Sequence, residues 1–356
     1  MSKVATSIKI NRIESSRINE VDFGSLKFGR QFSDHVFVAK YKDNEWTDLS
    51  IEAYDNLSLS PAASVFHYGQ AIFEGLKAHR TENGEILLFR PDKNWERLNA
   101  SAVRLCMPEI PESIFMDGVK ELIHQDRNWV PNGENQSLYI RPFMIADEAF
   151  LGVKPSESYQ FLVITSPTSN YYSGAIRVKI ETQYSRAASG GIGAAKAAAN
   201  YAASLYPAKQ ALEEGYDQLI WTDASSHQFI EESGTMNIMF KINGTLITPS
   251  TKSDTILDGV TRDSIIQLAR HWDISVEERK ISVDEILLAL ESNELEEAFG
   301  MGTAATIVPI QSIGANGKEY QLSDSSSWTF SNRAKDYLEK LKRGIAEDQF
   351  NWTVKI

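Results

Sequence analysis

GGIGAAKAAANYAASL, residues 190–205, places one lysine among glycine, alanine and isoleucine. In a helix, the residues three and four positions from Lys196 would be Gly193, Ile192, Ala199 and Asn200. None is a carboxylate, so a helix would give the lysine no ion pair. Small neighbours leave space for a flat ring against the backbone. Desolvation without a charged partner favours the neutral amine, which is the form that attacks a carbonyl. The stretch therefore suits a Schiff base to an aldehyde cofactor. Two phosphate motifs do not fit. A P-loop needs Gly-Lys-Ser/Thr, and Lys196 has alanine on both sides. A dinucleotide fingerprint needs a strand before its glycines, and SRAAS at 185–189 is not one.

Pyridoxal phosphate (PLP) makes three further demands: an anion site for its phosphate, a carboxylate for its pyridine nitrogen and a donor near its phenolic oxygen. Glu232 in FIEESGTMN can serve the nitrogen, and Tyr201 can reach the oxygen. The helix start in GVTRDSII offers the N–H groups of Val260 and Thr261 and the Thr261 hydroxyl. Thr303 in GMGTAAT adds a hydroxyl, and Arg97 in RPDKNWERL adds a bidentate donor. Each has a plainer reading. A lysine among alanines suits an exposed helix, a Glu pair at a strand end is usually solvated, GVTRDS is an ordinary helix start, and Arg97 suits a helix surface.

Their order along the chain is more specific. FGRQFSDHVF, SVFHYGQAIFEGLKA, FRPDKNWERL, RLCMPEIP, SLYIRPFMIA, LGVKPS, GGIGAAKAAANY, EESGTMNIMF, ILDGVTRDS and FGMGTAATIVPI span residues 28–310. Together they resemble the branched-chain amino acid aminotransferases, PLP enzymes of fold type IV. The resemblance implies a two-domain, D-amino acid aminotransferase-like fold. It implies reversible transfer of the amino group of L-leucine, L-isoleucine or L-valine to 2-oxoglutarate. It assigns Lys196 as the Schiff-base lysine and proton shuttle, Glu232 to the pyridine nitrogen and Tyr201 to the ring oxygen. Arg97, Val260, Thr261 and Thr303 would hold the phosphate. Tyr68, Tyr139 and Arg141 would serve substrate from the small domain, with the N–H groups of Thr303 and Ala304 on its carboxylate. Tyr139 and Arg141 alternate with Ile140, so on a strand they share a face. Phe28, Phe32, Phe73, Tyr171 and Val153 are candidate walls of an apolar pocket, with core packing as the other reading for these aromatics. The same fold also hosts D-amino acid aminotransferases and aminodeoxychorismate lyases; YIRP and EGLKA favour the branched-chain enzyme over both. Mammalian members carry a CxxC pair where this chain has Ala305 and Val308, so no thiol switch is expected.

Composition agrees with such an enzyme. The 356 residues exceed one core at ~150 residues per domain. A net charge of −12 disfavours nucleic acid and anionic membranes as partners, and the resemblance implies small-molecule amino acids and 2-oxo acids instead. The lone Cys106 disfavours disulfides and a structural zinc, and it suits a cytoplasmic location. No run has signal-peptide or membrane-spanning character. Strand-like and helix-like stretches mix without Rossmann alternation, which predicts a mixed α/β (α+β) chain. The polar TSNYYSGA predicts an interdomain loop at 168–175. It would separate a small N-terminal α/β domain, 1–167, from a large PLP-binding domain, 176–356. Fold type IV chains are commonly homodimers, and a homodimer is expected here.

Overall fold

The computed structural model describes residues 7–169, 172 and 174–356. The chain divides into two compact units. One comprises Met1–Tyr171, Ala195–Ala199 and Lys340–Ile356; the other comprises Tyr172–Ala194 and Asn200–Glu339.

The first unit is built on nine strands: β1 (Lys9–Ile10), β2 (His35–Lys42), β3 (Glu45–Ala53), β4 (Ala71–Phe73), β5 (Leu76–Arg80), β6 (Ile86–Phe89), β7 (Ser137–Ala146), β8 (Tyr159–Thr168) and, from the C-terminus, β18 (Thr353–Lys355). Their order is β1-β3-β2-β8-β7-β5-β6-β18, with β4 also on β7. The β2–β3 hairpin turns at Asp43 and Asn44, both at positive φ, which Asp and Asn tolerate better than other non-glycine residues. Three helices accompany the sheet: α1 (Ser64–Tyr68), α2 (Pro91–Arg104) and α3 (Glu112–Gln125). Proline opens α2, where its missing N–H costs nothing. The apolar stripe of α3 at Ile114, Phe115, Val119, Leu122 and Ile123 is buried. Its Gly118 is obligatory, because a Cβ there would lie 2.5 Å from the Phe37 ring. The core around Phe37, Trp46, Ile72, Leu76, Phe115 and Phe161 is almost wholly shielded from water.

The second unit carries β9 (Ile176–Glu181), α4 (Ala198–Glu213), β10 (Gln218–Thr222), β11 (Ile230–Ser233), β12 (Asn237–Ile242), β13 (Thr245–Thr248), α5 (Val260–His271), β14 (Val276–Glu278), α6 (Val283–Glu291), β15 (Leu295–Gly302), β16 (Thr306–Ala315), β17 (Lys318–Gln321) and most of α7 (Phe330–Lys342). The first two residues of α4 and the last three of α7 group with the first unit. The sheet order is β11-β10-β9-β16-β15-β12-β13-β14, with β17 on β16. Parallel and antiparallel pairs mix, as expected for a chain without βαβ alternation. Asn243 and Gly244 make the β12–β13 turn, both at positive φ. Ser282 caps α6 by accepting the Glu285 N–H at 3.0 Å. Glu297, buried on β15, accepts the N–H groups of Thr329, Phe330 and Ser331 and so holds the start of α7. Pro207 neither starts nor ends a helix; α4 runs continuously through it.

Candidate active site

In the first unit, Lys196 is not helical. Its N–H donates to Ser101 Oγ at 2.9 Å, and its carbonyl accepts the Phe73 N–H at 3.0 Å. Ala197 then bridges to Ile72 on β4. Gly191–Ala195 are turns and bends, Lys196 and Ala197 lie along β4, and α4 starts only at Ala198. These main-chain hydrogen bonds fix the backbone of Lys196. Its Nζ lies 4.9 Å from the Phe73 ring centre.

Phe73 is shared. The Arg141 guanidinium sits 4.5 Å from the same ring and donates to the Tyr139 hydroxyl at 2.7 Å. Phe28 meets Tyr139 edge-on at 4.8 Å. Tyr139 and Arg141 share a face of β7, so alternation brings Lys196, Phe73, Arg141, Tyr139 and Phe28 into one chain of contacts. Arg141 Nε is buried without a hydrogen-bond partner among the described residues. A buried unpaired donor costs free energy unless something accepts from it, and a carboxylate is the natural acceptor.

The sequence argument left the lysine without a counter-charge, and the structure corrects this. Glu74, fully buried between β4 and β5, lies close enough for the Lys196 charge to act on it. Arg97 grips Glu74 with two hydrogen bonds, Nε to Oε1 at 2.7 Å and Nη2 to Oε2 at 2.9 Å. Its side chain is therefore not the exposed helix residue of the plainer reading, being 11% accessible.

Other expected positions stand apart. Tyr68, on α1, is 41% exposed and donates to the Leu151 carbonyl. Phe32 stacks on Tyr54 at 5.0 Å instead of joining the Phe73 group. Val153 is 88% exposed, so in the single chain it walls nothing. Tyr171 lies outside the described residues.

In the second unit, Glu232 is buried, contrary to the solvated reading of a Glu pair. Its Oε1 accepts the Leu257 N–H at 2.8 Å and the Asn237 amide at 3.3 Å, and its Oε2 lies 3.3 Å from Arg186 Nε. Arg186 is held in turn by the Thr255 carbonyl. The neighbouring Glu231 is buried as well, and burial pushes its carboxyl above the usual range.

Asn237 links Glu232 to the start of α5. It donates to the Leu257 carbonyl at 2.9 Å, and its Oδ1 lies 1.9 Å from where a Cβ on Gly259 would be. Gly259 is the N-cap of α5 and has no side chain with which to cap the first N–H groups. Val260 and Thr261 begin that turn and are buried. Arg262 faces away, to Pro249 and Glu278. Asn237 pairs with Met301, and Gly302 pairs with Thr306. The turn carrying Thr303 and Ala304 therefore leaves the sheet beside Asn237. Tyr201 lies half-buried in the first turn of α4.

These residues fit PLP. A helix start with glycine at its N-cap and a neighbouring threonine suits a phosphate. A buried carboxylate held by a backbone N–H and an amide suits a pyridinium. Glu74, Asn94, Ser101, Arg186 and Asn237 took no part in the sequence reading. EGLKA and EESGTMN were singled out as blocks, and the polar residues inside them were the available signal.

Residues 71–313 match the family described as Amino-transferase class IV. The chain is 44% identical over 348 residues to branched-chain-amino-acid aminotransferase 2 of Bacillus subtilis, covering 97% of this chain and 96% of that one. Among solved structures it resembles the branched-chain aminotransferase of Escherichia coli, 27% identical with a TM-score of 0.72, covering 90% of this chain and 98% of that one. The fold also matches the PLP form of the Thermobaculum terrenum enzyme, 22% identical with a TM-score of 0.72, covering 90% and 97%. Similarity of this extent over both units leaves one assignment, and the chain belongs to the class IV aminotransferases, within the branched-chain-amino-acid aminotransferase family of fold type IV.

Proposed function

We propose that this enzyme transfers the amino group of L-leucine, L-isoleucine or L-valine to 2-oxoglutarate, reversibly and with PLP. The observation that carries the proposal is Lys196, clamped through its main chain on both sides with its amine over Phe73 beside Arg141. Bound PLP supplies an electron sink that acidifies the substrate Cα–H and carries the amino group between two substrates. Lys196 anchors it, then takes and returns the Cα proton as a general base and acid. Glu232 pairs with the pyridine nitrogen and Tyr201 with the ring oxygen. Val260, Thr261, Thr303 and Arg97 bind the phosphate. Tyr68, Phe73, Tyr139, Arg141 and Tyr171 receive substrate, with the N–H groups of Thr303 and Ala304 on its carboxylate. The D-amino acid aminotransferase and aminodeoxychorismate lyase readings are not favoured, because the relatives matched along nearly the full length carry the branched-chain name.

Arg141 tests the substrate half of the reading. One site must take both an aliphatic side chain and that of glutamate, and Arg141 joins an aromatic ring to an unpaired buried donor. Arg141→Ala removes a charge-assisted bond, so kcat/KM for leucine and for glutamate should each fall about 10- to 100-fold. Unchanged kinetics for both substrates would remove Arg141 from the site.

We further propose a small domain, 1–167, and a PLP-binding domain, 176–356, joined at 168–175, in a cytoplasmic homodimer. Phe66, Leu151 and Val153 in the first unit are 61%, 61% and 88% exposed, which suits a protein interface. Light scattering at the mass of one chain would exclude the dimer.

A further inference from the structure

Alternation along β4 and β5 puts Ile72, Glu74, Leu76 and Ala78 on one face of the sheet. Three of these are core residues, and Glu74 is fully buried among them. A carboxylate on an apolar face needs a reason, because a buried ion pair rarely gains stability over a well-packed apolar pair. This carboxylate is fully engaged. Oε1 accepts from Arg97 Nε, and Oε2 accepts from Arg97 Nη2, from Asn94 Nδ2 at 2.7 Å and from the Gly75 N–H at 3.0 Å. The Glu74 N–H donates to the Pro142 carbonyl at 2.7 Å, which fixes the residue in the sheet. Burial alone would push the carboxyl up. The Arg97 charge and hydrogen bonds, with the Lys196 charge and Asn94, outweigh burial and hold it below its ordinary range.

The partners of Glu74 are what give it a function. Arg97 and Lys196 are linked a second time through Ser101, whose hydroxyl donates to the Arg97 carbonyl at 3.0 Å and accepts the Lys196 N–H. Phe73, next to Glu74, holds the Lys196 carbonyl. We propose that Glu74 is a positioning residue for transamination: it fixes the plane of the Arg97 guanidinium and supplies the negative charge that the lysine block lacks. The proposal rests on the roles given above to Lys196 and Arg97.

The test uses PLP-loaded wild-type protein and Glu74→Gln, which keeps the shape and removes the charge. Two quantities are read: the pH midpoint of the cofactor's visible band, and the PLP dissociation constant. Removing a nearby negative charge disfavours the protonated chromophore, so the midpoint should fall by about one unit. A loosened Arg97 should weaken PLP binding about 10-fold. Exchanging the two groups, Glu74→Gln with Asn94→Asp, restores a carboxylate at almost the same place and should recover most of the midpoint. A residue that only filled space would move neither reading in this pattern. An unmoved midpoint with unchanged affinity overturns the proposal. If Glu74→Gln does not fold, the double variant decides alone, with recovery supporting the proposal and a folded protein with a lowered midpoint overturning it. A wild-type protein with no visible band at all would instead count against the PLP reading itself.

Discussion

Lys196→Ala is expected to lower kcat for leucine by on the order of 10⁴-fold or more, because it removes both the anchor of the cofactor and the group that moves the Cα proton. The fold should survive the change. Both contacts that seat this residue use its main chain, to Ser101 Oγ and from the Phe73 N–H, and alanine keeps them. Alanine removes the cation–π contact to Phe73, worth about 0.5–1 kcal/mol, and the charge that acts on Glu74, whose carboxylate keeps its hydrogen bonds to Arg97, Asn94 and the Gly75 N–H. The melting temperature should therefore move by a few degrees at most. Activity measured with leucine and 2-oxoglutarate, beside a thermal melt, checks both halves. Turnover within about 10-fold of wild type would mean the proton passes through another group.

Glu232→Gln carries the second large effect. The variant keeps a side-chain oxygen for the Leu257 N–H, removes the charge and puts an amide NH2 in place of the oxygen that faces Arg186. A neutral amide cannot hold a protonated pyridine nitrogen, so the electron sink weakens. By the scale of other fixed electrostatic contacts, kcat should fall on the order of 10²–10³-fold. KM should change far less, since no proposed substrate contact is touched. The adjacent Glu231 is no substitute, because successive residues of β11 point to opposite faces. A kcat reduced less than about 3-fold would break the pairing of Glu232 with the ring. A parallel rise in KM with kcat unchanged would move Glu232 from the chemistry to substrate binding.

Local rules decide much of the fold: Asp43-Asn44 and Asn243-Gly244 turn the chain as their conformational preferences require, and Pro91 opens the helix it precedes. The sequence reading assigned neither β4 nor β5, and Glu74 is the physical reason. A carboxylate on the core face breaks the alternating pattern by which a strand is recognised, and its compensation, Arg97, lies 23 residues away. The C-terminal β18 was missed because NWTVKI is short and polar, and its partner β6 lies far along the chain. At the site, the residue types were readable and their partners were not. The lysine block named Lys196, but only the folded chain brings Ser101, Phe73 and Glu74 to it. FIEES named Glu232, but Asn237 and Leu257 hold it across a turn and a loop. For Val153 and Phe32 the apolar character suggested a wall, and in the single chain Val153 is exposed while Phe32 stacks on Tyr54.

The measurement that tests the central claim most directly is the visible spectrum of the protein purified with PLP, followed through addition of L-leucine and then 2-oxoglutarate. The account predicts a yellow band that leucine bleaches and 2-oxoglutarate restores, with Lys196→Ala lacking the band from the start. A band indifferent to L-leucine but bleached by D-alanine would contradict the substrate assignment, and a colourless wild-type protein would contradict the role of Lys196.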